Sequence, residues 1–248
     1  MPKTILVTGS SRGIGKAIAQ LAHKQGYKVI VHGKTDSWAL NKTQQELPGS
    51  IKTFFDVSNK EETHKAISLL LKEVGVIDVL VNNSGVATNP TNNNVDEIDD
   101  DKALEEYKVN LLGTIHCVQA VLPGMLKNGN GSVVNIASLK GIPNLATMSF
   151  PTYAASKAGV ISITKSLAKV YSPQGVRFNV VCPGYVETDI SKQWSEESWK
   201  RVNSGILLGR IAQPSEIAPL VMFLASDEAA YITGSEFLID GGYSIKGK

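Results

Sequence analysis

A tyrosine and a lysine four residues apart are the first feature of the sequence that could do chemistry. Tyr153 and Lys157 lie in a stretch whose apolar residues recur at helical spacing. Residues four apart share one face of a helix, so the two side chains can act together. A free phenol titrates near pH ~10, and we expect the lysine cation to lower the pKa of Tyr153 into the range of a general acid/base. The alternative is an amphipathic tyrosine and a lysine on a surface helix.

Two further polar residues fit the same chemistry. Ser138 follows the apolar run 133–137, at the carboxyl end of a predicted parallel strand, where ligands of such sheets bind. Its hydroxyl could stabilise negative charge that develops on a substrate oxygen. Asn110 lies in a predicted helix just before Gly113, and it could equally be a surface polar residue or a partial helix break. Residue type and position therefore make Ser138, Tyr153 and Lys157 candidate catalytic residues, and they leave the role of Asn110 open.

A glycine-rich turn lies between the first predicted strand and the first predicted helix. Residues 8–15 read Thr-Gly-Ser-Ser-Arg-Gly-Ile-Gly, with the spacing Gly-x3-Gly-x-Gly. Glycines let a phosphate approach the backbone N–H groups at the positive end of a helix dipole. The position of this turn between strand and helix favours dinucleotide binding over an ordinary turn. The candidate cofactor-binding residues here are Gly9, Ser11, Arg12, Gly13, Ile14 and Gly15.

The end of the second predicted strand bears on the choice of cofactor. An NAD-selective site usually has an acidic residue there, whereas this chain has Gly33 followed by Lys34. Lys34 and Arg12 would attract a 2′-phosphate, which a carboxylate would repel. Both could instead be solvated charges, and Asp36 is the main argument against this interpretation. We therefore expect NADP(H) rather than NAD(H), with Lys34 among the cofactor-binding residues.

The elements that must position these residues alternate along the whole chain. Short β-branched runs are separated by amphipathic stretches of helical length, a pattern typical of a parallel sheet that is covered on both faces. The predicted strands are 4–8, 28–32, 51–55, 79–82, 132–137, 177–182 and 236–239, and the main predicted helices are 14–25, 60–74, 102–126, 153–171 and 216–225. The sequence predicts one domain, 1–248, with a doubly wound Rossmann-type α/β fold of about seven parallel strands and helices on both faces.

Composition excludes several classes of function. The 248 residues carry 25 basic and 23 acidic side chains without a basic stripe, which argues against nucleic acid. No apolar run approaches the roughly 18 residues of a membrane span, and the N-terminus lacks the pattern of a signal peptide. The only cysteines, Cys117 and Cys182, lie in apolar segments typical of a core. We expect a soluble cytoplasmic protein from a reducing compartment, with no membrane association.

The sequence gives little sign of a metal site. Residues 96–101 are rich in aspartate but lack the Asp-x-Asp-x-Asp-Gly spacing of an EF-hand loop. Acidic residues just before a helix ordinarily cap it. The four histidines contain no His-x3-His pair. We therefore predict no metal.

Taken together, the motifs resemble those of the short-chain dehydrogenase/reductase family, in its short form of about 250 residues. The resemblance extends over the whole chain. The stretch 225–234 is similar to the bacterial ketoacyl reductase branch, and Ser84 replaces the alanine that is usual after two asparagines. The residues that carry the resemblance, in the family's order, are the turn 8–15, Asn82, Asn83, Ser84, Gly85, Asn110, Ser138, Tyr153, Lys157, Pro183, Gly184 and Thr188.

The resemblance implies hydride transfer between the cofactor and a carbonyl. It implies that Lys157 holds the nicotinamide ribose and that Thr188 bonds the carboxamide. It also implies that Asn110 is the fourth catalytic residue, which holds a water linking Lys157 to solvent. Asp56 would contact the adenine, although it could equally cap the next helix. The further cofactor-binding residues that it implies are Asp56, Val57, Asn83, Ser84, Gly85, Tyr153, Lys157, Pro183, Gly184, Val186 and Thr188.

The substrate is less determined than the chemistry. We expect the segment 139–152 and a lid, 185–211, to shape the pocket. The apolar candidates in them are Leu145, Met148, Phe150, Ile190, Trp194 and Trp199. The resemblance implies 3-oxoacyl-[acyl-carrier-protein] reduction, and another alcohol, a sugar or a steroid-like ketone is the alternative. A non-catalytic NADP(H)-sensing module is an alternative of another class.

Acyl carrier protein remains an open question as a partner. The reductases that use it commonly grip it with two arginines, and the matching residues here are Gly129 and Gln174. Lys127, Lys169 or Arg177 could substitute for them. The resemblance also implies a homotetramer, formed through the two long helices and the last strand.

Overall fold

A computed structural model describes residues 2–145, 148–188 and 195–246. Its strands are β1 (Thr4–Val7), β2 (Lys28–Gly33), β3 (Ile51–Phe54), β4 (Val79–Asn82), β5 (Gly131–Ile136), β6 (Val176–Pro183) and β7 (Glu236–Ile239). Its helices are α1 (Gly13–Lys24), α2 (Trp38–Glu46), α3 (Lys60–Val74), α4 (Asp100–Glu106), α5 (Gly113–Asn128), α6 (Pro151–Tyr171), α7 (Glu196–Ser204) and α8 (Pro214–Ala225). Each predicted strand is present within one residue at either end.

All seven strands join one parallel sheet. Their order is β3-β2-β1-β4-β5-β6-β7, so the chain winds outward from β1 in one direction and then from β4 in the other. The reversal leaves a crevice at the carboxyl ends of β1 and β4, where ligands of open α/β sheets bind. The predicted doubly wound α/β fold is confirmed.

Alternate strand residues fill two separate cores. Ile5 and Val7 of β1 pack with α1 and α8 on one face of the sheet, whereas Leu6 packs with α3 and α5 on the other. Side chains alternate along a strand, so a sheet that is buried on both faces needs continuous apolar runs. Each such residue buries a side chain worth roughly 1.5–3 kcal/mol.

One predicted helix is interrupted in the structure. The stretch 102–126 was expected to be continuous, but a π-helical turn, Tyr107–Leu112, separates α4 from α5. The turn places Asn110 inside the protein, fully buried. Gly113 follows it and packs against Val57 so closely that a methyl group there would lie 2.7 Å from Cγ2 of Val57. The interruption therefore serves close packing, which helical periodicity does not reveal.

Two helices were not predicted. The nine-residue helix α2 begins at the N-cap Ser37 and is mostly polar, so its apolar pattern is weak. The helix α7 begins at the N-cap Ser195, inside the segment expected to be a lid.

One helical stretch passes a length-and-composition test for membrane spans. Asp100–Asn128 is 29 residues long, and half of its most apolar window is buried inside the fold. Length and composition alone do not distinguish a membrane span from a core helix of a soluble protein, which passes the same test.

Candidate active site

A cavity of about 640 Å³ opens at the carboxyl ends of the central strands. It is lined by most of the residues predicted to bind cofactor or to do chemistry: Gly9, Ser11, Arg12, Gly13, Ile14, Lys34, Asp56, Val57, Asn83, Ser84, Gly85, Ser138, Tyr153, Lys157, Pro183, Gly184, Val186 and Thr188. Gly15 and Asn110 are not on this wall and lie directly behind it. The geometry thus brings together residues that are far apart in the sequence.

The glycine turn forms a narrow cradle at the start of α1. Gly9 and Gly13 have φ angles of 63° and 55°, which favour glycine. A methyl group at Gly15 would lie 2.4 Å from the carbonyl oxygen of Gly9 and from Nδ2 of Asn83. The N-cap residue Arg12 makes no side-chain capping hydrogen bond, and residues 11–14 at the start of α1 line the cavity. These features fit a dinucleotide diphosphate.

His32 holds this turn in place and was missed in the sequence. Its Nδ1 accepts a hydrogen bond from the Gly9 N–H at 3.1 Å, and its Nε2 lies 3.0 Å from the Phe55 carbonyl. The two contacts fix the neutral tautomer that carries its proton on Nε2. Burial lowers the pKa of His32 to about 4. A histidine at the end of a strand gives no sequence signal for this role, because its partners come from two other strands.

The end of the cavity next to β2 carries a cation paired with a carboxylate. Lys34 Nζ lies 2.8 Å from Asp56, and hydrogen bonding to this carboxylate raises the pKa of Lys34. Asp56 also accepts from the backbone and hydroxyl of Ser58, whereas Asn59 caps α3. The alternative that Asp56 caps this helix is therefore wrong.

Asp36, the main argument against NADP(H), is engaged elsewhere. Its carboxylate lies 2.8 Å from Lys52 Nζ. It is not among the residues that line the cavity, whereas Arg12 and Lys34 both are.

Ser138, Tyr153 and Lys157 meet at the deep end of the cavity. Ser138 lies two residues after β5 and hydrogen-bonds the phenol of Tyr153, which lies in the first turn of α6. Lys157 is one turn further along, with Nζ 5.8 Å from the centre of the Tyr153 ring. Its ammonium donates a 2.9 Å hydrogen bond to the Ile136 carbonyl.

The predicted lowering of the Tyr153 pKa is wrong. Burial raises the pKa of this phenol, the hydrogen bond from Ser138 acts in the opposite direction, and the charge of Glu106 raises it further. Burial also lowers the pKa of Lys157 to about 8, so burial dominates the electrostatics of both groups. A protonated phenol beside a hydroxyl donor is suited to giving a proton to a carbonyl oxygen.

Asn110 organises the wall behind the catalytic residues. Its amide brackets the backbone of Val86, accepting from the N–H at 2.8 Å and donating to the carbonyl at 2.9 Å. The same Nδ2 donates to Ser156, whose hydroxyl donates to the Tyr153 carbonyl. A methyl group at Gly85 would lie 3.2 Å from both Asn110 Oδ1 and Lys157 Nζ.

The expected substrate side is described only in part. Ile190 and Trp194 lie outside the described residues. Met148 and Phe150 flank the start of α6, but they do not line the cavity. Lys140, which the sequence analysis did not consider, places Nζ 4.6 Å from the centre of the Phe150 ring and 3.3 Å from Ser149 Oγ, and burial lowers its pKa. The sequence analysis named only apolar side chains on the substrate side, so the Lys140 cation was not expected there.

The structure places the acidic stretch and the residues that could replace the docking arginines. Asp99 caps α4 by accepting from the Lys102 N–H at 3.1 Å. Arg177 donates to the carbonyls of Ile232 and Ser226, so it is not positioned to replace a docking arginine. Lys127 and Lys169 are exposed. Within the part of the chain that the structure describes, no group of three His, Cys, Asp or Glu side chains could hold a metal ion.

Known proteins share both the sequence and the fold. A family model described as enoyl-(acyl carrier protein) reductase matches residues 9–244. A 3-oxoacyl-[acyl-carrier-protein] reductase FabG from Thermotoga maritima is 37% identical over 246 residues, 98% of each chain, and one from Vibrio cholerae is 37% identical over 240 residues, 97% of this chain and 96% of the other.

Two solved structures are similar over nearly their full lengths. The protein gox2181 has a TM-score of 0.91 and 30% identity, covering 98% of this chain and 96% of its own. A structure described as ribose-5-phosphate isomerase from Brucella melitensis has a TM-score of 0.92 and 32% identity, covering 99% and 94%.

Proposed function

Since the chain belongs to the short-chain dehydrogenase/reductase family of oxidoreductases, we propose that it interconverts a ketone and a secondary alcohol with NADP(H). The observation that carries the proposal is the meeting of Ser138, Tyr153 and Lys157 at one end of a cavity whose other end is the glycine turn. Residues 1–248 act as one NAD(P)-binding Rossmann-type catalytic domain.

Each residue has a distinct part in the reaction. NADPH supplies the hydride when it is bound. The Ser138 hydroxyl holds the substrate oxygen beside Tyr153, and Tyr153 donates its phenolic proton to that oxygen as the carbonyl is reduced. Lys157 orients the ribose and carries positive charge near the phenol. Asn110 fixes the Val86 backbone and, through Ser156, the first turn of α6.

The cofactor preference follows from the charges at the adenosine end. Arg12 and Lys34 line the cavity, and Gly33 takes the place of an acidic residue that would repel a 2′-phosphate. The Lys34 cation is paired with Asp56, so it exchanges this partner when it binds the phosphate. We expect kcat/KM with NADPH to exceed that with NADH by at least tenfold, and Lys34→Gln to reduce the ratio. Equal efficiency with both cofactors would contradict the preference.

The proposed substrate class is the 3-oxoacyl thioester, the class named for the relatives at 37% identity. Gly129 and Gln174 carry no positive charge that could attract the acidic carrier protein. In this proposal the exposed side chains of Lys127 and Lys169 supply that positive charge. The test compares acetoacetyl groups on acyl carrier protein with the free thioester. A higher kcat/KM for the carrier-linked form, reduced in Lys127→Ala and Lys169→Ala, supports docking, and equal values argue against it.

A screen separates the other candidate functions. NADPH consumption is measured with 3-oxoacyl, sugar and steroid-like ketones and with an enoyl thioester. Fastest turnover of a sugar or steroid-like ketone would replace the thioester assignment, and reduction of the enoyl compound alone would replace carbonyl chemistry. Tight NADPH binding without turnover of any compound would favour a sensing module.

The proposed assembly is a cytoplasmic homotetramer. The surfaces of α4, the π-helical turn and α6 carry exposed apolar side chains, including Leu104, Leu112 and Val170, which association would bury. Light scattering of the purified protein should give a mass near four chains, and a monomeric mass would contradict the proposal.

A further inference from the structure

A buried glutamate lies behind the catalytic tyrosine. Glu106, the last residue of α4, is fully buried. Its Oε1 accepts from the N–H groups of Thr88 and Asn89 at 2.7 and 3.1 Å. Its Oε2 accepts from the Thr152 hydroxyl at 2.6 Å. In each of these bonds the carboxyl group is the acceptor, as an ionised carboxylate must be.

These bonds join the loop after β4 to the first turn of α6. Thr152 is the residue immediately before Tyr153, and its hydroxyl also accepts from Asn89 Nδ2 at 3.2 Å. Asn89 in turn donates to the Asp99 carbonyl at the start of α4. Three separate segments therefore converge on one carboxylate. A buried charge with three donors is costly to disturb, so it fixes the segments relative to one another.

We propose that Glu106 is a positioning residue for Tyr153: it ties the loop 88–89 to the start of α6 and holds a negative charge near the catalytic phenol. The inference rests on the proposed function of Tyr153 for its catalytic meaning. The contacts themselves do not depend on that function. By opposing loss of the phenolic proton, the carboxylate keeps Tyr153 protonated and reduces the fraction of phenolate that can take a proton in alcohol oxidation.

The other groups that face Tyr153 act through different elements. Lys157 of α6 places its cation 5.8 Å from the ring centre, and Ser138, two residues after β5, donates to the phenol. Cys182 of β6 is a buried thiol whose pKa is raised by burial to about 12, so it stays protonated at neutral pH. Glu106 is the carboxylate whose charge raises the Tyr153 pKa.

The test removes the charge while keeping the shape. In Glu106→Gln the amide oxygen still accepts from the two backbone N–H groups, and the amide nitrogen donates to the Thr152 oxygen. Phenol ionisation is followed by ultraviolet difference titration, with each protein measured against the same protein carrying Tyr153→Phe. We expect the Tyr153 titration to move to lower pH in Glu106→Gln, and alcohol oxidation with NADP⁺ to become roughly threefold faster at a fixed pH below the midpoint.

Controls separate charge from geometry. Asp101→Asn removes an exposed carboxylate from the same helix and should leave the titration unchanged. Thr152→Val keeps the Glu106 charge but breaks the link, so kcat should fall while the titration does not move to lower pH, and Thr152→Ser should restore kcat.

Two results would overturn the inference. One is an unmoved Tyr153 titration in folded Glu106→Gln. If Glu106→Gln does not fold, the result that would overturn the inference is an equal kcat in Thr152→Val and Thr152→Ser. The titration needs no substrate, so a failure of the proposed reaction would appear separately, as absence of turnover in the wild-type protein.

Discussion

Replacement of Lys157 by methionine should stabilise the protein while it abolishes activity. Burial lowers the pKa of Lys157 from the usual 10.5 to about 8. At about 1.36 kcal/mol per pKa unit, this fall corresponds to about 3 kcal/mol by which the fold opposes the buried cation. Loss of the hydrogen bond from Lys157 to the Ile136 carbonyl destabilises the variant by about 1 kcal/mol. The variant should therefore be more stable at pH 7 by about 2 kcal/mol.

The stability difference should depend on pH in a defined direction. Below pH 8 both the folded and unfolded wild-type chains carry the lysine proton, so the full cost is present. Between pH 8 and 10.5 the folded chain has released the proton and the unfolded chain still binds it. The free energy of unfolding of the wild type therefore rises relative to that of the variant as pH rises. The advantage of Lys157→Met should thus be largest at pH 7 and should disappear near pH 10.

Thermal and urea denaturation of both proteins at several pH values measures this difference. An advantage of about 2 kcal/mol corresponds to a Tm increase of roughly 4–8 °C for a chain of this size. Lys169→Met, at an exposed position on the same helix, is the matched control and should change stability by less than ~0.5 kcal/mol. A variant that is less stable than wild type at pH 7, or a difference that does not change with pH, would refute the reasoning.

Two further substitutions test the cofactor cradle. Gly15→Ala places a methyl group 2.4 Å from the Gly9 carbonyl oxygen and should abolish NADPH binding in a fluorescence titration. Gly124→Ala is the control, because the nearest atom to its methyl group is 3.6 Å away, and this variant should bind NADPH normally. Unchanged NADPH affinity in Gly15→Ala would contradict the close packing. His32→Leu leaves the Gly9 N–H without its acceptor and should weaken NADPH binding about tenfold or more, with kcat less affected than KM. Because the pKa of His32 is about 4, wild-type affinity should not change through His32 between pH 6 and 8, and a histidine-like transition in that range would argue against this role.

The parallel sheet and its strands could be predicted because each strand is a short apolar run between amphipathic helices. The interruption of the predicted helix 102–126 could not be predicted, because Asn110 in the π turn makes its contacts with Val86 and Ser156 in other segments. Hydrophobic periodicity reports which residues face the core. It does not report a local change in helical hydrogen bonding.

Residue type and spacing predicted the glycine turn and the candidate catalytic residues that the structure brings to one cavity, but they did not reveal the residues that support them. Glu106 resembles its exposed neighbour Glu105 in sequence, and only the fold shows that it is buried. The direction of the Tyr153 pKa was also wrong, because the Lys157 spacing was visible but the burial that outweighs it was not. Electrostatics inside a cavity depends on solvent exclusion, which one-dimensional spacing does not contain.

The most direct test of the central claim is the rate of carbonyl reduction by Tyr153→Phe under conditions where NADPH is bound. Single-turnover oxidation of NADPH by acetoacetyl thioester is followed for wild type and variant, with NADPH affinity measured separately. Removal of the phenolic proton should lower the rate by roughly 10²- to 10⁴-fold, the usual contribution of general acid catalysis, while NADPH affinity stays within about twofold of wild type. A variant that binds NADPH and retains more than about a tenth of the wild-type rate would contradict the assignment of Tyr153 as the proton donor.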